Sequence, residues 1–152
     1  MVLGPEDGAP VPRPDGLRIR PVVDDHGRET FGSLMADAYG VYGTPQESTR
    51  ERFAAMTAVT GPERHTVLAY VGKRAVAGAM LFMAHGVGGV NWVGTRPDEF
   101  GRGYGAAVTW AIVEEGRRRG ARLMNLQASP MGESLYRRLG FRTATQYRVF
   151  VA

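Results

Sequence analysis

The spacing of apolar residues along the chain changes period several times, and each change marks an element. Residues 17–22 alternate, with Leu17 and Ile19 set against Arg18 and Arg20, as in a half-buried strand. Asp24 or Asp25 then caps a helix in which Phe31, Leu34, Met35 and Ala38 share one face, with Gly40 as its end. Thr44-Pro45-Gln46-Glu47 is a capping box with proline at the first helical position, and the helix it opens buries Phe53 and Met56. Strands follow at about 66–71, 75–83 and 89–95, the first pair joined by a turn at Gly72-Lys73. A helix from about Gly103 to Arg119 carries Tyr104, Ala107, Val108, Ala111 and Ile112 on one face and stops at Gly120. A strand at 122–128 leads to Ser129-Pro130, the start of a helix closed by Gly140-Phe141, and residues 142–151 alternate as a last strand. The order β-α-α-β-β-β-α-β-α-β predicts a mixed α/β fold, a central mixed sheet flanked by helices.

Residues 1–16 interrupt this picture. They hold Pro5, Pro10, Pro12 and Pro14 among glycines and acidic residues, which predicts a flexible tail or linker ahead of one domain at 17–152. The 152 residues are enough for a single core. No apolar run approaches the roughly 18 residues of a membrane span, and the N-terminus lacks the basic and apolar regions of a secretory signal. The expectation is therefore a cytoplasmic protein with no membrane partner. The absence of cysteine removes disulfides, thiolate metal sites and an acyl-cysteine intermediate together. Charge is asymmetric: residues 1–64 carry 7 basic and 10 acidic side chains, residues 65–152 carry 12 and 5. A basic C-terminal half suits a polyanionic ligand, although the near-exclusive use of arginine is equally consistent with compositional bias.

The stretch Thr95-Arg96-Pro97-Asp98-Glu99-Phe100-Gly101-Arg102-Gly103-Tyr104-Gly105-Ala106 joins a strand to an apolar-striped helix. Its alternating glycines permit positive φ and close approach of a ligand to the backbone. The first amides of the helix lack internal partners and sit at the positive end of its dipole, so a phosphate is their natural acceptor, and Arg102 could add a charged hydrogen bond. A Walker loop would end in Gly-Lys-Ser/Thr, which is absent. Gly101-x-Gly103-x-x-Ala106 matches a dinucleotide fingerprint only formally. Residues 97–100 separate it from its strand, and Gln127 stands where an acidic ribose ligand would close the next strand. A pyrophosphate loop for coenzyme A and a plain tight turn remain.

Downstream lies Leu126-Gln127-Ala128-Ser129-Pro130-Met131-Gly132-Glu133-Ser134-Leu135-Tyr136-Arg137-Arg138-Leu139-Gly140-Phe141. A Pro-x-x-x-Gly-x-Gly-x-Gly loop followed by a Leu-Tyr-x-x-Leu-Gly-Phe helix end resembles the GNAT superfamily of N-acetyltransferases. The two segments cover the C-terminal third, and the element order from residue 17 is similar to that fold. The resemblance implies acetyl-CoA as cosubstrate, with backbone groups of Val93, Gly94 and Thr95 at its acetyl and pantetheine parts. It implies the amides of Gly101, Arg102, Gly103, Tyr104, Gly105 and Ala106 at the pyrophosphate, and Ser129 at the pantetheine arm. Tyr136 then matches the family's frequent general acid. The sequence departs from the family in having Phe100 where arginine or glutamine is usual. It also has no carboxylate on the strand at 89–95, and only Asn125 and Gln127 as polar groups on the strand at 122–128.

His26, His65 and His85 show no metal spacing, so no metal is expected. Arg117-Arg118-Arg119 ends a helix, where cations complement the dipole, and nothing resembles a nucleic-acid signature. Tyr39, Tyr42 and the loop to Pro45 lie where relatives shape the acceptor site. The expected function is direct acetyl transfer from acetyl-CoA to a primary amine, borne by a small molecule or a peptide, with a homodimer allowed. The alternative is an acyl-CoA-binding sensor that keeps the fold without turnover.

Overall fold

The computed structural model describes residues 1–43, 45–55 and 61–147. A six-stranded sheet has the order β1-β6-β5-β4-β3-β2. Its strands are β1 (Val2–Leu3), β2 (Leu17–Pro21), β3 (Arg64–Val71), β4 (Arg74–Ala84), β5 (Val87–Thr95) and β6 (Leu123–Leu126). Every pairing is antiparallel except β5 with β6. The helices are α1 (Asp25–Tyr39), α2 (Gln46–Ala55), α3 (Tyr104–Arg118) and α4 (Glu133–Arg138).

Strand alternation divides the core in two. Val67 and Ala69 of β3 join a cluster with Val108, Ile112 and Val113 of α3, whereas Leu68 between them joins Phe31, Leu34 and Met35 of α1. Successive side chains of a strand point to opposite faces, so α1 covers one face of the sheet and α3 the other. Phe53 of α2 is fully buried against α1, with the Phe31 ring edge-on at 5.5 Å. Helix ends follow local chemistry. The Asp24 side chain accepts a hydrogen bond from the Gly27 amide at 2.8 Å, and Gly120 takes φ +85° after α3.

α1 ends at Gly40 as expected, and a 3-10 turn continues over Gly40–Tyr42 until Gly43 (φ +76°) closes it. Three expectations differ from what is observed. Ser129-Pro130 does not open α4 directly. The Ser129 hydroxyl accepts from the Gly132 amide at 3.2 Å, and this local turn delays the helix to Glu133. Of the expected strand at 142–151, Arg142 forms a single bridge to Val2 and residues 143–147 join no ladder; 148–151 lie outside the described residues, as do Thr44 and Met56.

The largest difference is at residues 1–16. Instead of a free tail, their start lies on the sheet. Val2 and Leu3 pair with Asn125 and Met124 of β6, and Val2 exchanges two 2.8 Å backbone hydrogen bonds with Arg142 on its other side. Leu3 is fully buried, and Arg117 donates to the carbonyls of Gly4 (3.0 Å) and Asp7 (2.5 Å). Composition pointed to disorder because prolines and glycines dominate; buried Leu3, with Met1 and Val11 packed against the same cluster, supplies the anchoring apolar surface.

Candidate active site

The site arises where the sheet parts. Parallel pairing of β5 with β6 runs from Val87↔Leu123 to Val90↔Leu126 and then ends. Beyond it β5 continues to Thr95 along β4, while the other chain turns away through residues 127–132. The gap is a groove of about 700 Å³. It is lined on the α3 side by Gly101, Gly103, Tyr104 and Gly105, in the middle by Val93, Gly94, Ser129 and Tyr136, and on the α1 side by Ala38, Tyr39 and Tyr42. It therefore connects the two faces of the sheet.

On the α3 side, Gly101 and Gly103 adopt φ +80° and +79°, values that favour glycine. A Cβ on Gly101 would meet nothing within 4 Å, so the turn is open on its outer side. Gly103 is the N-cap of α3 and no side chain caps the helix, which leaves its first amides free for an anion. Gly105 is held close to its surroundings: a Cβ there would lie 3.2 Å from Thr95 Oγ1 and 3.4 Å from Leu135.

In the middle, β5 carries a bulge. Gly78 pairs with Gly94 and Met80 with Asn91, so Ala79 opposes both Trp92 and Val93. Trp92 sits at φ +48°, a left-handed conformation unusual for a bulky residue. Its ring packs edge-on against Phe53 (4.8 Å) and Tyr39 (5.3 Å), and this burial offsets the backbone strain. The Tyr39 hydroxyl donates to the Val93 carbonyl at 3.3 Å, fixing the bulge from the α1 side. Behind it, Arg96 pairs with Asp37 of α1 and donates from Nε to the Ala75 carbonyl at 2.8 Å.

Three phenols converge here. Burial first, and then the nearby Tyr42, push the Tyr136 hydroxyl up to about 12. Burial pushes Tyr39 upward too, with Tyr136 and Tyr42 adding to it. Both phenols keep their protons at neutral pH and can act only as neutral donors or acceptors there. Tyr42 reaches across the groove, its hydroxyl 3.1 Å from Ser129 Oγ.

The structure brings together Val93, Gly94, Thr95, Gly101, Gly103, Tyr104, Gly105, Ala106, Ser129 and Tyr136 along one groove. Arg102 is the exception: its Nε lies 3.2 Å from Glu99 Oε2, and it does not line the groove. Phe100, the departure from the expected pattern, does line it and is 45% exposed. One contributor had no sequence signal as a site residue: Arg138 faces the groove from α4 although it reads as a helix-end cation, whereas Tyr39 stood out only by its place between the first two helices. Among the described residues no group of three or more His, Asp or Glu side chains could hold a metal, and no helix is long and apolar enough to cross a membrane.

Comparisons with known proteins agree with this geometry. The model of the Acetyltransferase (GNAT) family matches residues 28–141. A GCN5-related N-acetyltransferase from Kribbella flavida superposes with a TM-score of 0.70 at 26% identity, covering 93% of this chain and 52% of that one; this chain thus spans about half the length of that protein. An aminoglycoside N-acetyltransferase in complex with CoA gives a TM-score of 0.70 at 18% identity, covering 93% and 98% of the two chains. A predicted acetyltransferase with acetyl-CoA from Clostridium acetobutylicum gives 0.68 at 16%, covering 89% and 96%. The last two similarities establish the fold. No curated protein matches the sequence.

Proposed function

The chain belongs to the GNAT acetyltransferase family, and from this premise we propose that it transfers the acetyl group of acetyl-CoA to a primary amine by direct attack in a ternary complex. One observation carries the reading: a single groove crosses the sheet, with an anion-binding helix start on one face and neutral phenols on the other. Acetyl-CoA supplies an activated thioester. The residues present fit it: open positive-φ glycines and uncapped α3 amides receive the pyrophosphate, and Arg138 adds a cation at the groove wall. Backbone groups of Val93, Gly94 and Thr95 orient the pantetheine and acetyl parts, with Ser129 opposite. The β5 bulge interrupts the ladder at Val93, and the Tyr39 hydroxyl holds that peptide in place.

Tyr136 is the donor to the departing sulfur. A phenol held at about 12 is a weaker acid than a thiol of about 8.5, so complete proton transfer is uphill and the hydroxyl acts chiefly as a hydrogen bond to developing thiolate. The groove's carboxylate among the described residues, Glu99, is occupied by Arg74 (2.9 Å) and Arg102 (3.2 Å) and lies at the glycine turn. The acceptor amine therefore enters neutral or loses its proton to water. The same feature supports a second reading, an acyl-CoA-binding module without turnover.

Thermal melting with acetyl-CoA, followed by thiol release in the presence of amines, tests both. Ligand at about a hundredfold its dissociation constant raises stability by about 2.7 kcal/mol, and a chain without cysteine adds no thiol background. No melting shift with millimolar acetyl-CoA overturns the assignment. A shift without amine-dependent thiol release selects the binding module.

A further inference from the structure

We propose, resting on the acetyl-transfer reading, that the acceptor is a monoamine with an aromatic or apolar body, and that polyamines and other polycations are excluded. The cofactor's phosphates belong at the α3 helix start, so the acceptor approaches through the opening on the α1 face. That opening is walled by Ala38, Tyr39 and Tyr42, with Met131 on the facing loop. Tyr42 and Met131 are 50% and 54% exposed, although both are large apolar side chains, and they sit on the two segments bridged by the Tyr42–Ser129 hydrogen bond. Both therefore stand exposed at the acceptor end of this one groove. Exposed apolar surface gathered at a concave site points to an apolar ligand.

Charge points the same way. A second ammonium group would need a carboxylate, and Asp37, the nearest on α1, is engaged by Arg96 and Arg50 and does not line the groove. Glu99 is at the far end and is paired. The tyrosine faces offer a cation at most a weak attraction at such exposed positions, and the Tyr39 and Tyr42 rings already lean on each other at 5.8 Å. One amine meets the thioester between Val93 and Tyr136 once neutral. Its nitrogen lone pair forms the new C–N bond as the C–S bond breaks, the nitrogen's proton passes to water, and CoA departs as the thiolate, hydrogen-bonded by Tyr136 and then protonated from solvent. The rest of the molecule lies on Tyr42 and Met131.

The test compares phenethylamine, butylamine and spermidine by thiol release, and by calorimetric binding to the CoA-loaded protein. Phenethylamine should exceed spermidine at least about tenfold in kcat/KM and in affinity, as apolar pocket contacts of this size discriminate. Tyr42→Asp, on an exposed side chain, should reverse the order by lowering phenethylamine and raising spermidine, each about tenfold. Spermidine equal to or better than phenethylamine in the unaltered protein overturns the inference while leaving acetyl transfer standing. Phenethylamine that binds in the expected order without thiol release supports the groove's specificity and overturns the transfer reading instead. Failure of phenethylamine to bind at all overturns the inference.

Discussion

Leu3→Ala is the most direct test of how the start of the chain is built into the domain. Leu3 has no exposed surface and belongs to the same cluster as Trp110, Leu139 and Phe141, so the substitution removes core atoms rather than trimming a tail. Leu→Ala at buried sites costs about 2–5 kcal/mol, the upper end where neighbours cannot close the gap. Here Gly8 and Gly140 already touch: a Cβ on Gly140 would lie 2.6 Å from Gly8 Cα, which leaves little room to collapse. A loss of about 3 kcal/mol corresponds to a melting shift of roughly 6–12 °C for a chain of this size. Differential scanning calorimetry of Leu3→Ala beside Glu6→Ala, an exposed neighbour, measures it. Glu6→Ala should stay within about 0.5 kcal/mol. If Leu3→Ala melts within 2 °C of the parent protein (~0.5 kcal/mol), β1 is not part of the folded domain and the segment is the free tail that its composition suggested.

Tyr136→Phe should lower turnover roughly a hundredfold, at the low end for general acids, with acetyl-CoA affinity unchanged; unchanged turnover where chemistry limits the rate returns Tyr136 to the core. Gly103→Val should abolish the acetyl-CoA melting shift, because φ +79° strains a β-branched residue and its Cβ would sit 3.4 Å from Pro14; a retained shift would refute the anion site. Because the groove supplies no free carboxylate among the described residues, kcat/KM should climb with pH toward the amine's own pKa, about 10.4 for an alkylamine; a plateau set near neutrality would reveal a base. For Glu115, burial alone would favour the neutral form, but hydrogen bonds from Arg118 and Arg119 outweigh it and hold the carboxyl down to about 2. Its folded-state value is depressed, so its stabilisation is present above about 4.5 and is lost as pH falls toward 2. Glu115→Gln should flatten that part of the acid melting curve, and an unaltered curve would refute the coupling.

How much of this was legible beforehand depended on whether a feature was local. The α3 start and the β4–β5 hairpin are written in short-range signals, glycine spacing and alternation, and both stand where expected. The glycine turn was readable for the same reason: Gly101 and Gly103 take positive φ values that glycine adopts without strain. For Arg102, sequence shows that a cation lies in the turn but not that Glu99, three residues earlier, pairs with its side chain. Tyr39 and Tyr42 drew attention only by position, since a groove made by two strands ceasing to pair leaves no periodic trace in either strand.

That parting of β5 from β6 has a cause in the sequence all the same. The register is parallel and ends at Val90↔Leu126, just before the Asn91–Gly94 segment in which the bulge rotates β5. The bulge in turn depends on small residues where the helices approach. A Cβ on Gly94 would lie 2.8 Å from the Met35 side chain and 2.9 Å from Ala38, and one on Gly78 would lie 3.0 Å from the Phe31 ring. Glycine at both positions lets α1 settle onto the bulged strand, which carries Tyr39 to the Val93 carbonyl and Tyr42 to Ser129. The same contacts that pack α1 against the sheet thus form the apolar wall of the groove. Any side chain at Gly94 would lift α1 and disturb core and acceptor opening together.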